Sequence, residues 1–290
     1  MSAATTLGQF LRARRALLPS PLDAGARRRV PGLRREEVAA RARMSTDYYT
    51  RLEQGRHRRP SEAVLLALSE ALEMDEPTTR HLFDLARAAA DPDRARSLQP
   101  VQRVRPSLRL LLDSMHGHPA FVRGRRTEVL AMNGLAAALL ADLPARPDGQ
   151  RSLIRWAFLD PEARDRYVDW EAVAASMVGT LRLDAGRHPG DPLLDRLVAE
   201  LSEHSEHFRT WWADHRVVER RDGVKRLDHP EVGRLDIRYE ALDVTGTEDQ
   251  TVFIYTAEPG TASAARLQDL ARSVAGSMAG RAGTAQTSVP

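Results

Sequence analysis

The sequence predicts a two-domain chain, an all-α head followed by an α+β domain built on an antiparallel sheet. Three observations carry this expectation. Short helical segments crowd into residues 7–90, prolines at 92, 100 and 106 interrupt the hydrophobic pattern, and from His215 onward the apolar period changes to two. The expected boundaries are 1–92 for the head, 93–105 for a linker, 106–260 for the second domain and 261–290 for a tail. That tail is rich in Ala, Ser, Gly and Thr and is expected to be partly disordered beyond one helix.

In the head, Leu7–Leu17 places Leu7, Phe10 and Leu11 on one helical face and stops at Pro19 and Pro21. Two short helices follow, Arg34–Ala42 and Thr46–Gln54, the second closed by Gly55. Ser61 fits the N-cap of a helix burying Val64, Leu65, Leu68 and Leu72, and Thr78–Ala90 completes the set. In the second domain, Ser107–Ser114 reads as a helix, and Ala120–Arg123 and Thr127–Met132 as short strands about Gly124. Helices are expected over Asn133–Leu140, Pro161–Leu183, Leu193–Leu201 and Glu206–Asp214. Strands are expected over Val217–Arg221, Val224–Asp228, Gly233–Ala241 and Thr251–Ala257, with turns at Asp222-Gly223 and His229-Pro230. This order suits a sheet with helices on one face.

Composition narrows the function. The 290 residues include no cysteine, which excludes disulfides, cysteine-ligated metals and thiol catalysis. Residues 1–15 lack the apolar core of a signal peptide, and no apolar run approaches the roughly 18 residues that span a bilayer. The expectation is a soluble, cytoplasmic protein without a membrane partner. The net charge of +3 hides an asymmetry: residues 1–60 carry 14 arginines against 5 acidic groups, a net of +9, and the remainder is net −6. A GC-rich coding sequence explains the preference for arginine over lysine but not its concentration in one fifth of the chain. Arginine forks match phosphate and guanine edges, so the basic N-terminus points to nucleic acid. No Gly-rich phosphate loop, nucleophile elbow or metalloprotease signature occurs, so no catalytic residues are expected. His204 and His207 beside Glu203 and Glu206, and His116 with His118, read as solvated polar groups rather than metal ligands. No metal or resident cofactor is expected.

Short helices with a tight turn between the second and third fit a helix-turn-helix bundle. Val38, Ala39 and Ala42 line one helix, and Tyr49 and Leu52 the next. Thr46, Asp47, Thr50 and Arg51 then share the opposite, exposed side, and Ser45 is the expected N-cap that turns the positive helix end toward phosphate.

The runs Val30-Pro-Gly-Leu-Arg-Arg-Glu-Glu-Val-Ala, Ser45-Thr-Asp-Tyr-Tyr-Thr-Arg-Leu-Glu-Gln-Gly and Arg59-Pro-Ser resemble the xenobiotic-response-element (XRE) type helix-turn-helix regulators. Later runs extend the match, among them Pro119-Ala-Phe-Val, Phe158-Leu-Asp-Pro, Tyr167-Val-Asp-Trp, Gly186-Arg-His-Pro, Gly223-Val-Lys and His229-Pro-Glu-Val-Gly. Over residues 7–260 the chain looks like the MmyB-like subfamily, in which a Cro/repressor-type head precedes a PAS-like ligand-binding domain. The resemblance implies base reading by Thr46, Asp47 and Arg51, with Arg35 holding phosphate and orienting its neighbours. The Arg27–Arg29 loop and Arg56, Arg58 and Arg59 are expected on the DNA backbone, adding affinity without sequence information. Two residues depart from the family pattern. Arg43 stands where the turn usually holds glycine, and a left-handed non-glycine costs roughly 1 kcal/mol. Arg41 stands where a leucine is usual, which would loosen the helix packing.

Eleven of the 15 aromatic residues lie between Phe121 and Tyr255, including all four tryptophans. Aromatics build cores first, and ligand pockets are also mostly apolar. The resemblance implies a small apolar effector, with a fatty acid as the family's precedent, and Phe158, Trp170, Met177, Leu181, Phe208 and Trp212 as candidate pocket walls. The expected function is a transcription regulator, a repressor by expectation, that binds a double-stranded DNA operator as a homodimer and responds to a small-molecule effector. Two alternatives stay open at this point: a second domain that only dimerises or binds a protein, and an enzyme fused to a DNA-binding head.

Overall fold

The computed structural model describes residues 5–19, 32–57, 59–91, 101–215, 217–219, 221–247 and 249–285. It resolves into two compact units that interleave along the chain. The first comprises residues 1–99 with 178–219, the second 100–177 with 220–290. The linear division expected from the sequence therefore assigns 178–219 to the second domain, whereas these residues pack with the head. The Arg27–Arg29 loop, Arg58 and most of the expected linker lie outside the described residues.

The first unit opens with α1 (Leu7–Leu17), α2 (Arg35–Arg41), α3 (Thr46–Glu53), α4 (Glu62–Ala71) and α5 (Glu76–Ala90). Each begins where a local cap dictates. The Thr6 hydroxyl accepts from Gln9 N while the Gln9 side chain accepts from Thr6 N, closing a capping box. Ser45 and Ser61 cap α3 and α4 as expected, and Asp75 caps α5. Leu7, Phe10, Leu11, Val38, Tyr49, Leu52, Leu68 and Leu82 form one buried core, and Leu183 and Val217 join it. At Gly8 α1 comes so close to α3 that a Cβ would stand 2.2 Å from the Glu53 carbonyl oxygen, which only glycine permits.

The α2–α3 turn is left-handed at Arg43, with φ of 53°. Met44 N donates to Ala39 O and Arg43 N to Ala40 O, so the turn is closed despite the unfavourable residue. Arg41 does not enter the core. It lies on the surface and donates to Glu73 at 3.0 Å, so the expected loosening of the helix packing is not seen.

In the second unit, α6 (Pro106–Ser114), β1 (Ala120–Arg123), β2 (Val129–Met132), α7 (Gly134–Leu139), α8 (Leu153–Leu159) and α9 (Pro161–Arg166) precede α10 (Trp170–Arg187). After α11 (Pro192–His204) and α12 (Glu206–Ala213), which belong to the first unit, come β3 (Asp222–His229), β4 (Gly233–Asp243), β5 (Thr251–Thr256) and α13 (Ala262–Ala285). The strands form one antiparallel sheet in the order β2-β1-β5-β4-β3. α6 packs on the face carrying Ala120, Val122 and Val252. The opposite face carries Phe121, Phe253, Tyr255 and Tyr239, so apolar cover is needed on both sides rather than the one expected.

Two expected elements are corrected. Pro161–Leu183 is not a single helix: the chain breaks at Tyr167, which bridges to Leu227, and Val168 N donates to Arg226 O. Edge pairing to β3 competes there with helical hydrogen bonds and prevails. The described residues of Val217–Arg221 form no strand. Val217 is buried in the head core, and the Thr180 hydroxyl donates to Val218 O. Asp222-Gly223, expected as a turn, begins β3 instead. The His229-Pro230 turn falls where expected.

Relieving the left-handed strain gives a direct test. Arg43→Gly should stabilise the protein by about 1 kcal/mol, less the backbone entropy glycine adds to the unfolded chain. A higher urea midpoint with an unchanged slope is the expected result.

Candidate DNA-reading face and ligand domain

The residues expected to read bases share one exposed side of α3. Thr46, Asp47 and Arg51 are exposed and Thr50 is partly so, all on the side of α3 turned away from Tyr49 and Leu52. The Ser45 hydroxyl accepts from Tyr48 N at 3.2 Å, and Asp47 holds Arg51 in an ion pair of 2.9 Å. The Thr50 hydroxyl donates to Thr46 O. Arg56 is exposed just past the helix, where its N–H caps Arg51 O. Arg59, by contrast, donates to Ala90 O.

What fixes this face is Glu53, a residue not singled out from the sequence. Its carboxylate is sealed from solvent and accepts from Arg15 Nε at 2.6 Å, Arg35 Nε at 2.7 Å and the Tyr49 hydroxyl at 2.9 Å. Arg15 also donates to Leu33 O, tying α1 to the start of α2. Burial alone would raise the Glu53 pKa, but the hydrogen bonds from Arg15, Arg35 and Tyr49 outweigh it and hold the carboxyl below its ordinary value. The one available signal was spacing: Glu53 lies four residues after Tyr49, on the same buried stripe. Arg35, expected on phosphate, orients this cluster and keeps 40% of its side chain exposed.

The first unit also contains a buried cationic contact. Arg182, on α10, is 1% exposed. It donates to the Thr5 hydroxyl at 2.9 Å and to Trp212 O, lies 3.1 Å from His215 Nδ1, and stacks 4.2 Å over the Trp212 ring. Burial lowers its pKa to about 10, with Asp214 opposing. His81, on α5, is fully buried edge-on to Phe10 with neither ring nitrogen hydrogen-bonded among the described residues. Arg80 reaches Glu219 at 2.6 Å.

The six candidate wall residues divide between the units. Phe158, Trp170 and Met177 fall in the second, where Phe158 meets Trp170 edge-on at 5.6 Å and Trp170 Nε1 donates to Ala157 O. Leu181, Phe208 and Trp212 fall in the first, where Phe208 stacks on Trp212 at 5.5 Å. A cleft of about 460 Å³ in the second unit lies elsewhere, lined by Val168, Arg226, Arg234, Asp236, Ser263 and Arg266 among others. His204 Nδ1 contacts Glu200 O and His207 stacks near Trp211. No group of three or more metal-ligating side chains occurs among the described residues.

The family matches make this chain a transcription regulator with a DNA-binding head and a ligand-binding domain. The sequence profile of a helix-turn-helix domain matches residues 6–82. That of the MmyB-like transcription regulator ligand binding domain matches residues 104–270, more than half of the chain, and the protein belongs to this family. A comparison with curated proteins finds no match. No helix among the described residues is long and apolar enough to cross a membrane. The ligand-domain match includes 178–219, so Arg182, Leu183 and Val217 belong to the ligand-domain sequence while packing with the head.

That packing makes the first unit acid-sensitive. Burial, then Arg182, Arg187 and His215, lower the His81 pKa from its ordinary 6.5 to about 3; burial and Arg182 lower that of His215 to about 4. As pH falls from 7 to 5 the unfolded chain takes up protons near pH 6.5 that the folded chain refuses, so stability is lost. The slope is about 1.4 kcal/mol per pH unit for the buried His81, while the half-exposed His215 contributes less through solvent screening. His81→Leu should flatten the fall in melting temperature over this range; an unchanged profile would contradict the assignment.

Proposed function

We propose that the protein is a repressor that binds a double-stranded operator as a homodimer, with α3 reading bases in the major groove, and that a small apolar effector modulates this binding. The observation that carries the reading is the solvent-facing set Thr46, Asp47, Thr50 and Arg51, fixed from behind by Glu53. Arg51 reaches a guanine edge once it exchanges Asp47 for the base. Asp47 and the α3 N-terminus at Ser45 face a cytosine amine and the phosphate respectively. Arg35, Arg56 and Arg58 neutralise backbone charge. For the effector, Phe158, Trp170 and Met177 supply apolar contacts in the second unit. Leu181, Phe208 and Trp212 serve the packing of the first. Effector binding and operator binding are linked through α10, whose residues up to Met177 count with the second unit and from Val178 with the first.

Dimerisation follows from geometry: a Cro-type head covers one half-site, and two half-sites lie about 34 Å apart. Leu110 and Leu111, exposed on α6, support an interface beyond residue 105. Such an interface would bury on the order of 1,600 Å². Sedimentation should show a dimer at micromolar concentration; monomers both free and on DNA would refute it.

The reading face is tested by fluorescence anisotropy on an operator selected from random DNA. Arg51→Ala should cost about 1–3 kcal/mol on the operator and little on unrelated DNA. Arg56→Ala should weaken both equally and flatten the salt dependence. Equal losses on both DNAs for Arg51→Ala would remove it from base reading.

A further inference from the structure

The cleft of about 460 Å³ in the second unit has a lining dominated by guanidinium groups: Arg226, Arg234 and Arg266 stand in it against one carboxylate, Asp236. Strand lengths explain how it arises. β4 runs from Gly233 to Asp243, but β5 pairs with it only from Arg238 onward. Over the stretch that β5 does not reach, Asp236 lies in register with Arg226 on β3 and Arg234 with Asp228, their exposed side chains alternating with buried Leu235 and Ile237. The first two turns of α13 take the place of the missing strand. The Ser263 hydroxyl accepts from Asp236 N at 2.9 Å, and Arg266 donates to Arg234 O at 2.6 Å. Neighbouring strands lie about 4.8 Å apart, whereas a helix with its side chains is about 10 Å across, so the exchange leaves a gap beside β4.

The three arginines are answered unequally. Arg226 donates to both oxygens of Asp169 at 2.5 Å and faces Asp236 as well. Arg234 reaches Asp228 only at 3.7 Å. Arg266 has no carboxylate within salt-bridge distance among the described residues and gives one N–H to a carbonyl. The Ser263 hydroxyl accepts from Asp236 N and keeps its own proton to donate. Two guanidinium forks and a hydroxyl, from β4 and α13, thus line one space. A carboxylate has two oxygens and is filled by a single fork. A phosphoryl group has three terminal oxygens and a charge of about −2 at neutral pH, so it can take both forks and the hydroxyl together. Val168 and Leu227 add apolar surface to the lining, and the volume lies in the range of small-molecule pockets.

We propose that this cleft is a second small-molecule site, taking a phosphomonoester with a compact apolar body, whose phosphoryl group accepts from Arg234, Arg266 and Ser263. Arg226 serves the site indirectly: paired across the strands with Asp236, it keeps that carboxylate from repelling the dianion. The site is separate from the apolar residues Phe158, Trp170 and Met177, and the proposal does not rest on the effector reading above.

Phenyl phosphate, benzoate and phenol carry the same ring and differ in the head group. Each is titrated into the full-length protein at neutral pH and constant ionic strength and followed by isothermal titration calorimetry. Phenyl phosphate should bind saturably and about tenfold tighter than benzoate or phenol, the step expected of one further charge-assisted hydrogen bond. Arg234→Gln and Arg266→Gln should each remove about that factor from phenyl phosphate and leave the other two probes unchanged. Arg234 is exposed and its side chain meets only Asp228 among the described residues, so its variant carries the test if circular dichroism shows that Arg266→Gln does not fold. Equal affinity for phenyl phosphate and benzoate would overturn the phosphoryl assignment. Phenyl phosphate binding that both variants leave intact would also overturn the proposal, by placing the ligand outside this cleft. No saturable binding of phenyl phosphate below about 10 mM would remove the site and leave the apolar-effector reading standing.

Discussion

Glu53 is a carboxylate sealed between three helices, and the orientation of α3 depends on its being answered by Arg15, Arg35 and Tyr49. Removing one partner of such a buried cluster typically costs 3–5 kcal/mol, because the groups left behind lose both water and partner. An apolar substitute of equal volume would be less costly to bury but would not set direction. The carboxylate has two oxygens, and each is claimed by a donor from a different helix: Arg15 on α1 takes one and Arg35 on α2 the other. Only one rotation of α3 about its axis satisfies both. That rotation puts Tyr49 and Leu52 inside and therefore Thr46, Asp47, Thr50 and Arg51 outside. The direction in which that face points is thus set from the buried side.

A comparable role in the second unit falls to Asn133. Its Oδ1 accepts from Ala120 N and Ala136 N, and its Nδ2 donates to the carbonyls of Leu112, Met115 and His118. One amide caps α7, closes the end of α6 and fixes the entry into β1. Only a side chain with both a donor and an acceptor can do this, so neither aspartate nor leucine substitutes for it. With β1 fixed, β5 and then β4 and β3 follow in register, which brings Tyr255, Tyr239 and Lys225 onto one face.

The head was largely legible because its signals are local. Caps at Ser45 and Ser61 and apolar spacing within each helix need no distant partner, and the structure repeats them within a residue or two. The antiparallel sheet was legible from its alternation. What escaped were decisions made between distant segments. Val217 and Val218 have the composition of a strand, yet packing on Leu183's core and a bond from Thr180 outcompete pairing. Residues 161–183 have helical periodicity, yet the edge of β3 captures Tyr167. α8 was overlooked because it is a short apolar run without a polar face to give it period. Glu53 and Lys225 sat on stripes that the spacing marks as buried, but apolar patterns do not register a charge, and whether a buried charge is answered is a property of the folded chain alone.

The interleaving of the units places part of the ligand-domain sequence inside the unit that holds the head. A flexible tether transmits only proximity, whereas packing transmits free energy. Arg182, Leu183 and Val217 come from the ligand-domain sequence, yet Leu183 and Val217 complete the head's apolar core and Arg182 bonds Thr5 just ahead of α1. The packing of the unit that carries α3 therefore depends on residues of the ligand-domain sequence. Among the described residues Arg182 has a hydroxyl, a histidine nitrogen, a carbonyl and an indole face around it but no carboxylate ion pair, so displacement leaves a desolvated cation without those dipoles. A contact of this kind favours one discrete arrangement over intermediate positions.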